Sequence, residues 1–270
     1  MTDKYAVIGN PIAHSKSPII HQAFAKQTAQ DISYERILAP VDGFEAVVKD
    51  LIAQGYKGLN VTVPFKFEAF NMANVHKPRT LLAAAANTLL FNVDGIVADN
   101  TDGAGLVRDI SHNLGCSIAG KTVLLLGAGG AAAGVLQPLL YCKPSVLVIA
   151  NRSLDKAAAM VSKVEAKATV VRACAFNQLQ SQTFDIVVNA TSAGLSDSAL
   201  PIPDAIFAKG CLAYDMMYGR ETPFMTQARA ANAQVADGLG MLVEQAAEAF
   251  HVWRGVRPDT KPVIDMMRAV

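Results

Sequence analysis

Two short stretches of the chain carry residue types suited to chemistry. In "GLNVTVPFKFEAF", residues 58–70, a half-buried strand pattern stops at Pro64 and Lys66 follows two places on. A parallel α/β sheet gathers its functional groups at the carboxyl ends of its strands, so Pro64 leaves an ammonium standing at such an edge. An ammonium there can supply a proton to a developing alkoxide or stabilise its charge before transfer. Taken alone, Lys66 reads as a solvated charge at a strand end, and its companions decide between the two readings.

The second stretch is "LLLGAGGAAAG", which places Gly127, Gly129 and Ala132 in G-x-G-x-x-A spacing between an apolar run and a helical pattern. The first glycine permits a tight turn, the second lets backbone approach a pyrophosphate, and the small third residue lets helix and strand pack closely. Phosphate would sit on the helix N-terminus. A site for NAD carries an acidic residue ~20 positions on, to accept the ribose hydroxyls. This chain has "ANRSLDK" there: Asn151 is neutral, Arg152 can grip a phosphate or lie over the adenine, and Lys156 adds a second positive charge. The pattern predicts NADP.

These residues must be positioned by a scaffold, and the rest of the chain says which. At 270 residues, against ~150 per domain, two domains are expected, with a cleft between them. Hydrophobic residues make up 51% and charged residues 17%, enough apolar surface for large cores and unlike a disordered chain. Twenty-four basic and 23 acidic residues balance to +1 without a long basic run, which points away from nucleic acid and membrane surfaces and toward a small-molecule partner. Cys116, Cys142, Cys174 and Cys211 form no C-x-x-C pair and read as reduced thiols, and the five histidines (His14, His21, His76, His112, His251) show no metal-ligand spacing and read as ordinary polar or surface residues. The opening "MTDKYAVIGNP" lacks the features of a signal peptide, so a cytoplasmic location is expected. The nearly apolar run at 122–140 has the length of a membrane span, but its glycines and Gln137-Pro138 suit a buried strand, turn and helix.

Up to about residue 100, short β-branched runs ("YAVIG", "YERIL", "GLNVTV") alternate with helical-period segments ("SPIIHQAFAKQ", "GFEAVVKDLIAQ"), which predicts α/β architecture with a mostly parallel sheet. "TLLFNVDGIVADN" reads as a hairpin, and a helix from about Asp102 to Leu114 leads away. Five further strand candidates ("KTVLLLGAGG", "SVLVIANR", "ATVVRA", "DIVVNATSAG", "CLAYDMMY") are mostly continuously apolar, as strands covered on both faces are. After "AQVADG" the chain ends in a long helix and a short one.

The motifs "GNPIAHSKSP", "NVTVPFK", "AANT", "NTDG", "GAGGAA", "ANRS", "NATSAG", "DMMY" and "DGLGMLVEQA", in that order, resemble the shikimate dehydrogenase family over essentially the whole chain. The resemblance implies an N-terminal α/β substrate domain over residues 1–101, completed by C-terminal helices returning from 239–270, and a Rossmann-type doubly wound dinucleotide-binding domain over 102–238. It implies NADPH-dependent reduction of 3-dehydroshikimate to shikimate, in the route to aromatic amino acids. By the family pattern Lys66 and Asp102 form the catalytic pair; Ser15, Ser17, Thr62, Asn87, Tyr218 and Gln245 join Asp102 around the substrate. Gly127, Ala128, Gly129, Gly130, Ala131, Asn151, Arg152, Ser153, Lys156, Met216 and Gly238 lie along the cofactor, and no metal is implied.

The residues agree with that chemistry. Asp102 would hold the Lys66 ammonium and favour its charged form, while burial would oppose it. Ser17 precedes Pro18 and reads as a helix N-cap; with Ser15 it offers two hydroxyls to a carboxylate. Asn87 and Thr62 can bond ring hydroxyls or be satisfied by backbone. Gln245 lies near the apolar face of the terminal helix, which the resemblance returns to the first domain, and Trp253 reads as packing. Lys156 departs from the pattern: many members carry arginine there, which grips phosphate bidentately, so a weaker preference for NADP is expected. Alternatives are a quinate/shikimate dehydrogenase with relaxed cofactor use, which the absence of an acid at Asn151 opposes, and a non-catalytic sensor of shikimate-type ligands, which the presence of both Lys66 and Asp102 opposes. A monomer or homodimer is expected.

Overall fold

The computed structural model describes residues 2–166, 168–193 and 198–269. By internal contacts the chain divides into one unit of Met1–Gly105 with Leu242–Val270 and a second of Leu106–Met241.

The first unit runs β1 (Asp3–Gly9), α1 (Ser17–Gln27), β2 (Ile32–Leu38), α2 (Phe44–Ala53), β3 (Tyr56–Val61), α3 (Lys66–Asn71), β4 (Val75–His76), α4 (Pro78–Leu81), β5 (Thr88–Asn92) and β6 (Gly95–Asp99). The strands form one sheet in the order β2-β1-β3-β5-β6-β4, parallel across β2-β1-β3 and β6-β4, antiparallel at β3-β5 and β5-β6. The expected hairpin is β5-β6, with Gly95 taking φ +101° in its turn. β4 escaped the sequence pattern because two residues carry no periodicity.

Successive side chains of a strand point to opposite faces, and β1 shows the result. Ala6 and Ile8 join Phe44, Val48, Leu59 and Phe65 on one face, while Tyr5 and Val7 join Tyr34, Ala249 and Trp253 on the other. The sheet is therefore covered on both sides, the second side by the C-terminal helix. Trp253 packs as expected: it stacks on Tyr5 at 4.6 Å and its Nε1–H donates to the Leu89 carbonyl. Gly58 makes room for it, since a Cβ there would stand 2.5 Å from Trp253 Nε1.

α5 (Asp102–Arg108), continued by a single π-turn at Asp109–Asn113, leads into the second unit. That unit runs β7 (Thr122–Leu126), α6 (Gly130–Tyr141), β8 (Val146–Asn151), α7 (Leu154–Val161), β9 (Val170–Ala175), β10 (Phe184–Asn189), β11 (Phe207–Asp215), α8 (Pro223–Ala230) and β12 (Gln234–Ala236). All pairings are parallel in the order β12-β11-β10-β7-β8-β9, a doubly wound sheet whose winding reverses between β7 and β10. "AQVADG", to which the sequence reading assigns no element, supplies the edge strand β12. Gly194, the last residue of "NATSAG", lies outside the described residues. The chain returns through α9 (Leu239–Arg254) to α10 (Lys261–Arg268). Among the described residues no helix is long and apolar enough to cross a membrane.

Candidate active site

Sheet register collects most of the candidate substrate residues of the first unit at one edge. β1 and β3 run parallel, so Gly9 and Val61 end together, and the amide of Asn10 bonds the carbonyl of Val63. β5 begins where β3 ends, since Asn60 pairs with Thr88, and Thr88 pairs in turn with Asp99 at the end of β6. That edge therefore carries the loop with Ser15, the start of α1 with Ser17, Thr62, Lys66 at the start of α3, Asn87, and Asp102 at the start of α5.

Lys66 Nζ lies 2.5 Å from Asp102 Oδ2. The two side chains keep 30% and 16% of their exposure, so a small molecule can reach the ammonium. Asp102 Oδ1 accepts from Asn87 Nδ2 at 2.8 Å, and the Asp102 backbone N–H donates to Asn100 Oδ1. Asn87 is buried and its orientation is fixed from behind: its Oδ1 accepts from the Thr101 amide (2.8 Å) and the Thr88 hydroxyl (2.9 Å). Its Nδ2 therefore faces Asp102, and also reaches Gln245 Oε1 at 3.2 Å. The returning α9 thus brings Gln245 to the Asn87–Asp102 pair.

Ser15 and Ser17 sit together, with a 3.2 Å contact between their hydroxyls. One expectation needs correction: Ser17 is the first residue of α1 rather than its N-cap, which is Lys16 without a side-chain bond. Ser15 does the capping instead, its Oγ accepting from the Ser17 amide at 3.3 Å, because a hydroxyl two residues back can close this turn. Arg36 on β2 grips the Ser15 carbonyl through Nε (2.9 Å) and Nη2 (2.6 Å), a contact no sequence pattern announces.

Sequence reasoning also missed the polar layer beneath these residues. Tyr34 Oη donates to Asn60 Oδ1 at 2.7 Å, and Asn60 Nδ2 donates to Thr88 Oγ1 at 3.2 Å, so a buried chain of hydrogen bonds runs from β2 to Asn87 and Asp102. A polar Asn60 between the apolar Leu59 and Val61 of β3 was the available signal. His21 corrects a second expectation, since it is fully buried rather than a surface residue. It stacks on Tyr34 at 4.2 Å among Phe24, Phe250 and Trp253. Neither ring nitrogen has a hydrogen-bond partner among the described residues. Burial drives its pKa down to about 3, only partly opposed by the neighbouring Asn60 side chain. Burial likewise raises the pKa of the Tyr34 phenol well above its ordinary value, with the Ser17 side chain opposing.

In the second unit, the glycine turn follows β7 at the point where the sheet's winding reverses, where such sheets bind ligands. Gly127 takes φ +105°, and a Cβ there would stand 3.1 Å from the Ala190 carbonyl, so glycine is required on both counts. Gly129 caps α6, and nothing lies within 4 Å of where its Cβ would be. With Ala128, Gly130 and Ala131 around it, the turn carries only small residues at the start of α6, which suits a pyrophosphate on the helix N-terminus. At the end of β8, Asn151 Nδ2 folds onto the Ser153 carbonyl, and Arg152 and Lys156 are exposed without an ionic partner among the described residues. These groups fit a 2'-phosphate. Met216 and Gly238 meet at the far side of the switch: the Gly238 amide bonds the Met217 carbonyl, and a Cβ on Gly238 would collide with the Met216 carbonyl oxygen. Tyr218 follows β11 in this unit, half-buried, with its phenol pKa raised by burial.

Comparison with known proteins gives the family. Residues 7–89 match the shikimate dehydrogenase substrate binding domain, residues 109–196 the shikimate / quinate 5-dehydrogenase family, and residues 238–268 the shikimate 5'-dehydrogenase C-terminal domain. Shikimate dehydrogenase (NADP(+)) of Methylobacillus flagellatus is 59% identical over 268 residues, 99% of each chain. Among solved structures, an Ael1 enzyme from Pseudomonas putida superposes with a TM-score of 0.95 at 49% identity over 98% of each chain. Shikimate 5-dehydrogenase from Thermus thermophilus, in complex with NADP(H) and shikimate, does so with a TM-score of 0.88 at 29% identity over 99% of each chain. The chain belongs to the shikimate dehydrogenase family, NADP-dependent oxidoreductases acting on a CH–OH group.

Proposed function

We propose that this chain interconverts 3-dehydroshikimate and shikimate in the biosynthesis of aromatic amino acids, and that Lys66 and Asp102 manage the proton. The observation that carries the reading is the 2.5 Å contact of a reachable ammonium with a carboxylate whose other oxygen is held by Asn87. Bound NADPH supplies the hydride. In the reducing direction Lys66 stabilises the charge growing on the ketone oxygen and gives up a proton to form the hydroxyl, while Asp102 keeps the amine oriented. In the oxidising direction the same amine removes the hydroxyl proton as hydride leaves carbon.

Ser15 and Ser17 offer their hydroxyls to the substrate carboxylate, and Thr62, Asn87 and Gln245 present hydrogen-bonding groups to ring hydroxyls. Tyr218 is a further candidate for contact with the substrate. Asn151, Arg152, Ser153 and Lys156 take the 2'-phosphate, and the turn from Gly127 to Ala131 takes the pyrophosphate, with Met216 and Gly238 beside the cofactor. The test is loss of reduced-nicotinamide absorbance with 3-dehydroshikimate, run with NADPH and NADH and, in reverse, with shikimate and quinate. Folded protein that consumes no NADPH would defeat the reading, and equal use of quinate would redirect it.

A further inference from the structure

Gln245 reaches Asn87 from a helix more than 140 residues later in sequence, and something must set that distance. The groups that do so lie outside the motifs. Arg79, on the short α4, holds both oxygens of Asp99: Nε to Oδ1 at 2.5 Å and Nη2 to Oδ2 at 2.8 Å. Its remaining nitrogen, Nη1, donates to Glu248 Oε1 at 2.9 Å. Asp99 ends β6, takes the Asn100 amide on the same Oδ1, and passes directly into Asn100, Thr101 and Asp102. Glu248 stands three residues after Gln245, on neighbouring positions of α9.

One guanidinium thus joins the segment that carries Asp102 to the helix that carries Gln245. Arg257 braces the helix side, pairing with both Glu248 and the fully buried Glu244, which also takes the Thr260 hydroxyl at 2.6 Å. Burial works against the charge on Arg79, yet Asp99 and then Glu248 outweigh it and raise its pKa further. The Arg79 guanidinium therefore stays charged at any pH the protein meets.

We propose that Arg79 is a positioning residue: by joining Asp99 to Glu248 it sets where Gln245 stands beside Asn87 and Asp102, and so governs how tightly the substrate's ring hydroxyls are held. The inference rests on the reading above that Gln245 touches substrate. Lysine cannot replace the arginine, because a single ammonium cannot span two carboxylates in this fork geometry.

The experiment is a double-mutant cycle of Arg79→Lys with Gln245→Ala, reading KM for shikimate, KM for NADP and kcat. Arg79→Lys is expected to raise KM for shikimate by roughly tenfold, with KM for NADP unchanged, and to add little in the Gln245→Ala background. Glu248→Gln, which leaves the Arg79–Asp99 pair intact, should show the same pattern and carries the test should Arg79→Lys fold poorly. Equal effects in both backgrounds, or lowered stability with normal kinetics, would overturn the proposal. An unchanged KM in Gln245→Ala alone would remove Gln245 from the substrate site and the proposal with it, a failure distinct from the others.

Discussion

The buried imidazole of His21 makes acid stability a quantitative test. The ring is fully buried and neutral, with a pKa of about 3 in the fold against about 6.5 in the unfolded chain. Between those values the unfolded chain binds a proton that the folded one does not, so stability is complete above pH 6.5 and falls as pH drops toward 3. At pH 5 the pH has fallen about 1.5 units below the unfolded value, which at ~1.36 kcal/mol per unit is a loss of about 2 kcal/mol relative to pH 8. His21→Leu removes the titrating group, and since neither nitrogen has a hydrogen-bond partner, no neighbour is left unpaired. Urea unfolding followed by fluorescence of Trp253, the chain's one tryptophan and 5.4 Å from the His21 ring, reports on this unit. Carboxylates contribute equally to both proteins and cancel in the difference. The variant should lose about 2 kcal/mol less than the parent between pH 8 and pH 5. Identical losses in the two proteins would refute the argument, as would a His21 ring signal in NMR that titrates near pH 6.

Lys66→Ala should lower kcat by about 10²–10⁴ with KM for NADP little changed, and a variant with near-normal turnover would remove the lysine from the mechanism. Arg152→Ala should raise KM for NADPH by roughly tenfold while leaving KM for NADH nearly alone, since only the former carries the 2'-phosphate; equal effects on both would defeat the phosphate assignment. Gly127→Ala forces a side chain into φ +105° beside the Ala190 carbonyl, so a loss of about 1–3 kcal/mol and weaker NADP binding are expected in thermal unfolding with and without NADP.

What was legible in the sequence followed from local rules. The glycine spacing needs only a strand before it and a helix after it, and both are read from periodicity a few residues away, so β7, the turn and α6 fall where expected. The hairpin of β5 and β6 is likewise a short-range signal. Lys66 was marked by Pro64 because a strand end is local too. Asp102 was different: nothing in the residues between 66 and 102 says that the ends of β3 and β6 share an edge, and only the collinear motifs of a family joined the two. The groups that escaped notice act across still longer separations. Arg79 looks like any charge in "HKPRT" until the sheet brings Asp99 beside it and α9 returns with Glu248. His21 looks like a surface residue in "SPIIHQAF" until Phe24, Tyr34, Phe250 and Trp253 close around it. The motifs are short runs read locally, whereas the residues that hold them in place meet only once the chain is folded. The substitutions most informative about this enzyme therefore lie one layer behind its candidate site residues: Arg36 bonds the Ser15 carbonyl, Thr101 bonds Asn87, and Arg79 holds Asp99 and Glu248, each three residues from Asp102 or Gln245.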